Sequence, residues 1–197
     1  MIKPEALRRV VTHPAKESSD FDLNPGARVV VGTVLRPAAV LVAVSSRPDG
    51  AVVILTKRSS RLAHHPGQIA FPGGKIEAED AGPEAAALRE AREEIGLDSG
   101  LVQLLGCLPA HETVTGFRVT PVLGLITDDF IARPEPGEVD EVFAVPLAHL
   151  ADPAHYRIEA RLWRGQWRRY YAVPFGPYYI WGATARILRG LAEGLQQ

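Results

Sequence analysis

Three glutamates lie within five residues near the middle of the chain: Glu90, Glu93 and Glu94, directly after Arg89. On a helix, residues three and four apart share a face, so the three carboxylates would repel one another. A hard divalent cation reverses that repulsion, because Mg²⁺ takes oxygen ligands and combines one or two carboxylates with water and substrate phosphate. The spacing therefore indicates either a metal site or a solvated acidic helix face.

A helix over residues 83–95 is predicted to carry the three glutamates. Pro83 suits the first helical position, and Gly96 suits the position just after the last turn. Leu88 and Ile95 point roughly away from the glutamates and form part of an apolar stripe. The stripe should face the core, which leaves the carboxylates toward solvent or a ligand.

Length and composition exclude several classes of protein. The 197 residues suit one domain, with 46% hydrophobic and 23% charged residues as in soluble proteins. No apolar run reaches the ~20 residues that span a bilayer, and the N-terminal segment lacks the apolar part of a signal peptide. A cytoplasmic protein without a membrane partner is expected. The formal charge of −1 argues against nucleic-acid binding, and the single cysteine, Cys107, excludes an intrachain disulfide.

Hydrophobic periodicity and turn residues predict the elements that position the glutamates. Residues 4–12 are expected to form a short helix and 13–27 a surface arm, so that 1–27 is an N-terminal addition packed on a domain of residues 28–197. An apolar run covers 29–35, strands are predicted at 38–44, 51–56, 101–108, 119–126 and 142–145, a helical turn at 146–151, a hairpin at 156–163 and 167–173 turning at 164–166, and a helix at 183–195. The pattern predicts an α+β fold, an α/β/α sandwich around a mixed β-sheet.

Residues 74–97 resemble the Nudix box, G-x5-E-x7-R-E-U-x-E-E-x-G-U, in which U is a bulky aliphatic residue. The second half fits from Arg89 onward, with Ala91 where an aliphatic residue is usual. In the first half Asp80 replaces the glutamate, and eight residues rather than seven separate it from Arg89. The resemblance implies a Nudix-type sandwich with a catalytic loop-helix-loop and a C-terminal helix. It also implies metal-dependent hydrolysis of a nucleoside diphosphate derivative.

Within that family the chain is similar to the coenzyme A pyrophosphatases, which commonly share the aspartate and the extra residue. Residues 55–74 carry the Leu-Thr-x-Arg-Ser, His-x-Gly-Gln and Phe-Pro-Gly-Gly parts of their second signature. Weaker matches lie at 115–122, 138–143 and 180–185. This resemblance implies that coenzyme A and its thioesters are cleaved to 3′,5′-ADP and 4′-phosphopantetheine, or acyl-phosphopantetheine.

The resemblance also implies which residues carry the reaction. Arg89 would hold the carboxylates through charge-assisted hydrogen bonds, together with Asp80. The implied ligands of Mg²⁺ or Mn²⁺ are Glu90, Glu94, Glu93, the main-chain carbonyl of Gly74 and a later glutamate, Glu141 or Glu138. The general base is open between a box glutamate, which is favoured, and the more distant Glu138, Glu141 and Glu112.

Coenzyme A carries a 3′-phosphate on its adenosine, and arginine suits phosphate because it binds bidentately. The implied substrate-binding residues are Lys57, Arg58, Arg61, His64, His65 and Gln68. Alternatively, Arg58 and His65 brace their loop against the box. Trp163, Trp167, Tyr170 and Tyr171 could stack on adenine, although packing in the core or an interface is favoured.

Two other functions stay open from the sequence. The first is hydrolysis of a different small molecule, such as ADP-ribose or NADH. The second is a non-catalytic Nudix module that senses a nucleotide, which the intact box carboxylates disfavour. A homodimer is also left open.

Overall fold

The computed structural model describes residues 4–25, 34–163 and 165–196. The boundary between residues 27 and 28, most of the apolar run at 29–35, and Arg164 in the predicted hairpin turn lie outside the described residues. The described chain has an α+β fold with a large mixed sheet, as predicted. None of the described helices is long and apolar enough to cross a membrane.

The described elements follow one another along the chain as short helices and strands. The helices are α1 (Pro4–Thr12), α2 (Pro83–Ile95), α3 (Leu147–Leu150) and α4 (Gly182–Leu195). The strands are β1 (Ser18–Ser19), β2 (Arg36–Arg47), β3 (Gly50–Arg58), β4 (Ile69–Ala70), β5 (Gly73–Lys75), β6 (Val102–Cys107), β7 (His111–Glu112), β8 (Phe117–Ile126), β9 (Val139–Pro146), β10 (Arg157–Trp163) and β11 (Gln166–Ala172).

Strand β2 lies at the centre of the sheet. It runs parallel to β8 along its length and antiparallel to β3 at its end, while β5 pairs with its beginning. Strands β6 and β7 add to β8, and β4 and β9 add to β3. The short β1 pairs in parallel with β7, and β10 and β11 form a separate antiparallel hairpin.

The side chains of β2 alternate between two cores, one on each face of the sheet. Leu41 packs on one face with the α2 residues Ala91 and Ile95. Val42 packs on the other face with apolar residues of α1 and α4, such as Leu188. A strand covered on both faces is apolar throughout, which is why β2 is nearly continuous in hydrophobic residues. The predicted α/β/α sandwich is confirmed.

Strand β2 begins at Arg36, two residues before the predicted start, although Pro37 lies in it. Proline cannot donate a hydrogen bond, but at the start of a strand that donor is dispensable. The Pro37 carbonyl still accepts a hydrogen bond from the amide of Ile76, at 3.2 Å. Residues 38–40 of β2 then pair with β5, the strand with which the residues of the Nudix box begin.

Candidate active site

Glu94 lies near the end of helix α2, and its side chain contacts the first residue of β5. Its side chain is buried, with the residue 5% exposed, and its Oε2 accepts a hydrogen bond from the Gly73 amide at 3.1 Å. Burial raises the pKa of Glu94 to about 7, and the charges of Glu90 and Glu138 add to the rise. The Gly73 hydrogen bond and the charge of Arg58 oppose it without cancelling it. The structure therefore holds a carboxylate that favours the nearby binding of positive charge.

Glu90 lies directly against the backbone of Gly74. A Cβ atom at Gly74 would be 2.3 Å from the Oε1 of Glu90, so that any side chain added here would have to displace the Glu90 carboxylate. Burial raises the pKa of Glu90, although its hydrogen bond with Arg89 opposes that rise. The close approach places the Gly74 main chain beside two buried or half-buried carboxylates.

Changing Gly74 to alanine should reduce activity with little loss of stability. The new Cβ would displace the Glu90 carboxylate, which can move because it ends a flexible side chain. We expect kcat/KM to fall about 10- to 100-fold, as when a residue that orients a metal ligand is changed. Gly190→Ala in α4 is the matched control, since a Cβ there meets only Arg186 at 3.8 Å. Full activity in Gly74→Ala would contradict the importance of this contact.

Arg89 holds three acidic side chains at once. Its Nε and Nη2 donate to the two oxygens of Asp80 at 3.0 and 2.9 Å, and its Nη1 donates to Glu90 and Glu93 at 3.0 Å each. Its Nη2 also donates to the Lys75 carbonyl at 3.1 Å. The hydrogen bonds from Arg89 lower the pKa of Asp80. The aspartate that departs from the usual box therefore anchors the arginine that orients the glutamates.

A fourth carboxylate, Glu138, comes close because its loop docks on the end of α2. The Glu135 amide donates to the Glu94 carbonyl at 2.9 Å, and the Glu138 carbonyl accepts from the Ser59 amide at 2.8 Å. The charge of Glu138 contributes to the raised pKa of both Glu90 and Glu94. The negative charge of Glu138 therefore adds to that of Glu90 and Glu94 at this end of α2.

The other two distant glutamates have different surroundings. Glu141 accepts a hydrogen bond from the Tyr178 hydroxyl, whose ring stacks on Phe143 with centroids 3.6 Å apart. Glu112 lies in β7, 3.7 Å from Arg118. Neither contributes to the raised pKa values of the buried box glutamates.

The donor set fits a hard divalent cation, although the side chains do not yet surround one point. Within residues 4–25, 34–163 and 165–196, no three His, Cys, Asp or Glu side chains form a group that could hold a metal ion as they stand. Glu90 contacts Arg89, and Glu94 contacts the Gly73 amide. Nevertheless, Mg²⁺ and Mn²⁺ prefer carboxylate and main-chain carbonyl oxygens as ligands, and both kinds of oxygen lie close together at Gly74. The assignment of these residues as ligands stays a prediction.

A cleft with a cavity volume of about 320 Å³ lies on the face of the sheet opposite α2. Val40 and Val119 belong to its floor, and the hairpin β10–β11 and the start of α4 belong to its walls. Arg58 links the cleft to the acidic cluster, because it lines the cleft and its charge acts on Glu94. Among the residues that line the cleft, Arg58 is thus the one whose charge acts on a box glutamate.

The six predicted substrate-binding residues separate into two groups. Arg58, His65 and Gln68 line the cleft. Lys57 instead lies opposite Glu141 in the sheet, and Arg61 and His64 are exposed and do not line the cleft.

A β-bulge after Lys57 helps to separate these groups. Lys57 pairs with Glu141, whereas Arg58 pairs with Val139, which leaves Asp140 without a partner in β3. Bulges re-aim side chains and are frequent next to active sites.

Several residues of the cleft were missed by the sequence analysis. Of the four aromatic candidates, Trp163 and Tyr170 line the cleft, whereas Trp167 is 71% exposed and Tyr171 packs beside the core. The missed residues are Arg161, Arg168, Arg169 and Trp181. The signal was the recurrence of arginine and aromatic residues through the hairpin, which is unusual for a strand pair that only covers a core.

The chain is similar to known Nudix proteins both in sequence and in structure. The family model described as "NUDIX domain" matches residues 35–164. The chain is 42% identical over 157 residues to "Uncharacterized Nudix hydrolase NudL" of Escherichia coli (strain K12), covering 80% of this chain and 81% of that protein. It is 43% identical to the protein of the same description in Salmonella paratyphi B, with the same coverage. Among solved structures, the Nudix hydrolase RenU of M. smegmatis superposes with a TM-score of 0.51 and 26% identity, over 66% of this chain and 80% of that one.

Proposed function

The chain belongs to the Nudix hydrolase family, and from this we propose that it hydrolyses the pyrophosphate bond of coenzyme A and its thioesters. The products would be 3′,5′-ADP and 4′-phosphopantetheine, or acyl-phosphopantetheine. Family membership supports the coarser part, an enzyme that acts on a nucleoside diphosphate derivative with a divalent metal ion. Coenzyme A as the substrate is the finer part of the proposal.

The observation that carries the proposal is that Arg58 lines the cleft while its charge acts on Glu94 in the carboxylate site. A pyrophosphate with a bulky group on each side needs a long, open site with positive charge. The cleft supplies the charge through Arg58 and through three arginines of the hairpin, Arg161, Arg168 and Arg169. Its floor and walls are otherwise mostly apolar or aromatic, which suits an adenosine and a pantetheine arm.

Each residue of the site has a role in this proposal. Glu90, Glu94 and the Gly74 carbonyl would hold Mg²⁺ or Mn²⁺, with Glu93 as a further ligand. When bound, such an ion polarises phosphate oxygens and lowers the pKa of a water molecule. Arg89 would hold the carboxylates of Glu90 and Glu93 in position for the ion through its hydrogen bonds to both.

The choice between the distant glutamates favours Glu138 over Glu141 as an added ligand. The charge of Glu138 already acts on Glu90 and Glu94, whereas Glu141 is held by Tyr178. A box glutamate remains our choice for the general base.

Competition between substrates tests the proposal. We expect kcat/KM for coenzyme A to exceed that for 3′-dephospho-coenzyme A about 10- to 100-fold, the value of one or two hydrogen bonds to a charged group. ADP-ribose and NADH are expected to be poorer still. Equal rates with and without the 3′-phosphate would remove the physical basis for coenzyme A, and a preference for ADP-ribose or NADH would favour the alternative function. The homodimer stays a prediction, which light scattering after size-exclusion chromatography would check.

A further inference from the structure

Two arginines face each other across the hairpin in the wall of the cleft. Arg161 in β10 and Arg168 in β11 are direct cross-strand partners, and both line the cleft. Like charges directly opposite each other destabilise a strand pair. Within the described residues, neither guanidinium forms an ion pair with a carboxylate. The pair is therefore a concentration of positive charge that an anion would stabilise.

The same wall contains a buried hydrogen-bond donor that the described protein does not satisfy. The Nε of Arg168 is buried without a partner, and so is the Nε of Arg58. These are the two such side-chain atoms among the described residues, and both belong to arginines of this one cleft. A buried donor without an acceptor costs about 1–3 kcal/mol, and more when it is charged. The lining of this cleft therefore contains two arginines with a buried donor that no described residue satisfies.

Aromatic rings hold the two hairpin guanidiniums in place. Arg161 lies over the ring of Trp181 at 4.3 Å, and Arg168 lies over the ring of Trp163 at 4.6 Å. Such contacts limit the orientations that a guanidinium adopts, and a guanidinium can bind a phosphate through two N–H groups at once. The arrangement is thus built for a phosphate group and not for a single point charge.

The two arginines whose Nε has no hydrogen-bond partner among the described residues lie in different parts of the fold. Arg58 acts on Glu94 and belongs to the acidic end of the site, so it suits the pyrophosphate. Arg168 lies on the hairpin over the ring of Trp163, and its charge is not among the causes of the raised pKa of Glu90 or Glu94. The exposed Arg61 and His64 do not reach the cleft to offer a second phosphate site.

We infer that Arg161 and Arg168 bind a phosphate monoester on the ribose of the nucleotide, which in coenzyme A is the 3′-phosphate. This rests on the proposed function and deepens it, because it assigns the selectivity for that phosphate to the hairpin. The upstream signature loop then serves the pyrophosphate through Arg58. The facing arginines are the specificity determinant, and their mutual repulsion is relieved when the phosphate lies between them.

The test compares nucleotides that differ in the phosphate alone. Calorimetry measures the binding of 3′,5′-ADP and 5′-AMP to the metal-free full chain, and kinetics measure kcat/KM for coenzyme A and 3′-dephospho-coenzyme A. In Arg168→Gln we expect the preference for the 3′-phosphate to fall about 10- to 100-fold in both measurements. Arg168→Lys keeps the charge without the bidentate grip and should recover only part of that preference.

Arg157→Gln is the matched control on the same hairpin. Arg157 is exposed, lies opposite Ala172 and does not line the cleft, so its replacement should leave the preference as it is in the wild type. Arg161→Gln is a second test variant, for use if Arg168→Gln does not fold. It changes an exposed side chain, and it should also lower the preference for the 3′-phosphate.

The outcomes separate this inference from the proposed function. A wild-type protein without a preference for coenzyme A over its 3′-dephospho form would count against the proposed function. The inference would be overturned, while the proposed function stands, if Arg168→Gln kept the full wild-type preference for the 3′-phosphate. The same conclusion would follow if both Arg161→Gln and Arg168→Lys kept that full preference. Equal losses in Arg157→Gln and Arg168→Gln would also overturn it, because they would show a general effect of charge.

Discussion

Replacing Glu94 with glutamine is expected to lower kcat by about 10³-fold while the fold is retained. The change keeps the size of the side chain and removes the buried charge that would hold a divalent cation beside Glu90. Stabilisation of developing charge by a bound ion is worth several kcal/mol, which corresponds to a loss of this size. Steady-state kinetics with coenzyme A and Mg²⁺ measure the loss.

The same substitution should make the metal-free protein more stable above neutral pH. The pKa of Glu94 is about 7 in the folded protein and 4.5 by default in an unfolded chain. Between these values the folded state binds more protons, so the free energy of unfolding falls as the pH rises from about 4.5 to about 7. The full shift corresponds to about 3 kcal/mol, which glutamine would recover at pH 8.

Thermal unfolding at pH 8 and pH 4.5 measures this effect. For a chain of this size, about 3 kcal/mol raises Tm by about 5–10 °C. The gain should be absent at pH 4.5, where Glu94 is protonated in the folded protein. Glu93→Gln is the control, because its side chain is 56% exposed and its loss should change Tm little. Wild-type activity in Glu94→Gln, or a lower Tm at pH 8, would contradict our account of this residue.

Gly73→Ala is expected to destabilise the fold by more than about 3 kcal/mol. A Cβ at Gly73 would be 2.4 Å from the Ala39 carbonyl oxygen and 2.6 Å from the Val40 Cα, both in the backbone of β2. Overpacking against a backbone that cannot move costs about 1–3 kcal/mol or more, and pulling β5 from β2 adds the loss of their hydrogen bonds. Urea unfolding measures the cost.

The neighbouring glycine provides the contrast for that prediction. Gly74→Ala meets a flexible carboxylate and should keep most of its stability while it loses activity, whereas Gly73→Ala should lose stability first. Gly190→Ala in α4 should be neutral or stabilising, since alanine is favoured over glycine within a helix. Equal stabilities for Gly73→Ala and Gly74→Ala would contradict this prediction, because they would show that the backbones of β5 and β2 move apart at little cost in free energy.

The helix of the site could be predicted from sequence because its signals are local. Pro83 and Gly96 bound α2 as expected, and Gly96 takes the left-handed conformation with φ of 70°. The bounds of the long strands were predicted to within a few residues, because their apolar patterns are also local. Strands β4 and β5 were missed, since with two and three residues they are defined by their partners β3 and β2 and not by a pattern of their own.

The composition of the site was predictable only in part. The box spacing placed Glu90 and Glu94 together, and the structure brings both against the Gly73–Gly74 backbone. The approach of Glu138 depends on a loop that follows the helix by about forty residues, which no local pattern reveals. The pairing of Arg161 with Arg168 was not predicted, because these residues meet only through their register across two strands.

The most direct test of the account is product analysis with coenzyme A, Mg²⁺ and water labelled with ¹⁸O. We predict equal amounts of 3′,5′-ADP and 4′-phosphopantetheine, with one labelled oxygen in the phosphate that water attacks, and no turnover after chelation of the metal. Hydrolysis that persists without a divalent ion, cleavage at the 3′-phosphate, or intact coenzyme A after incubation would contradict it.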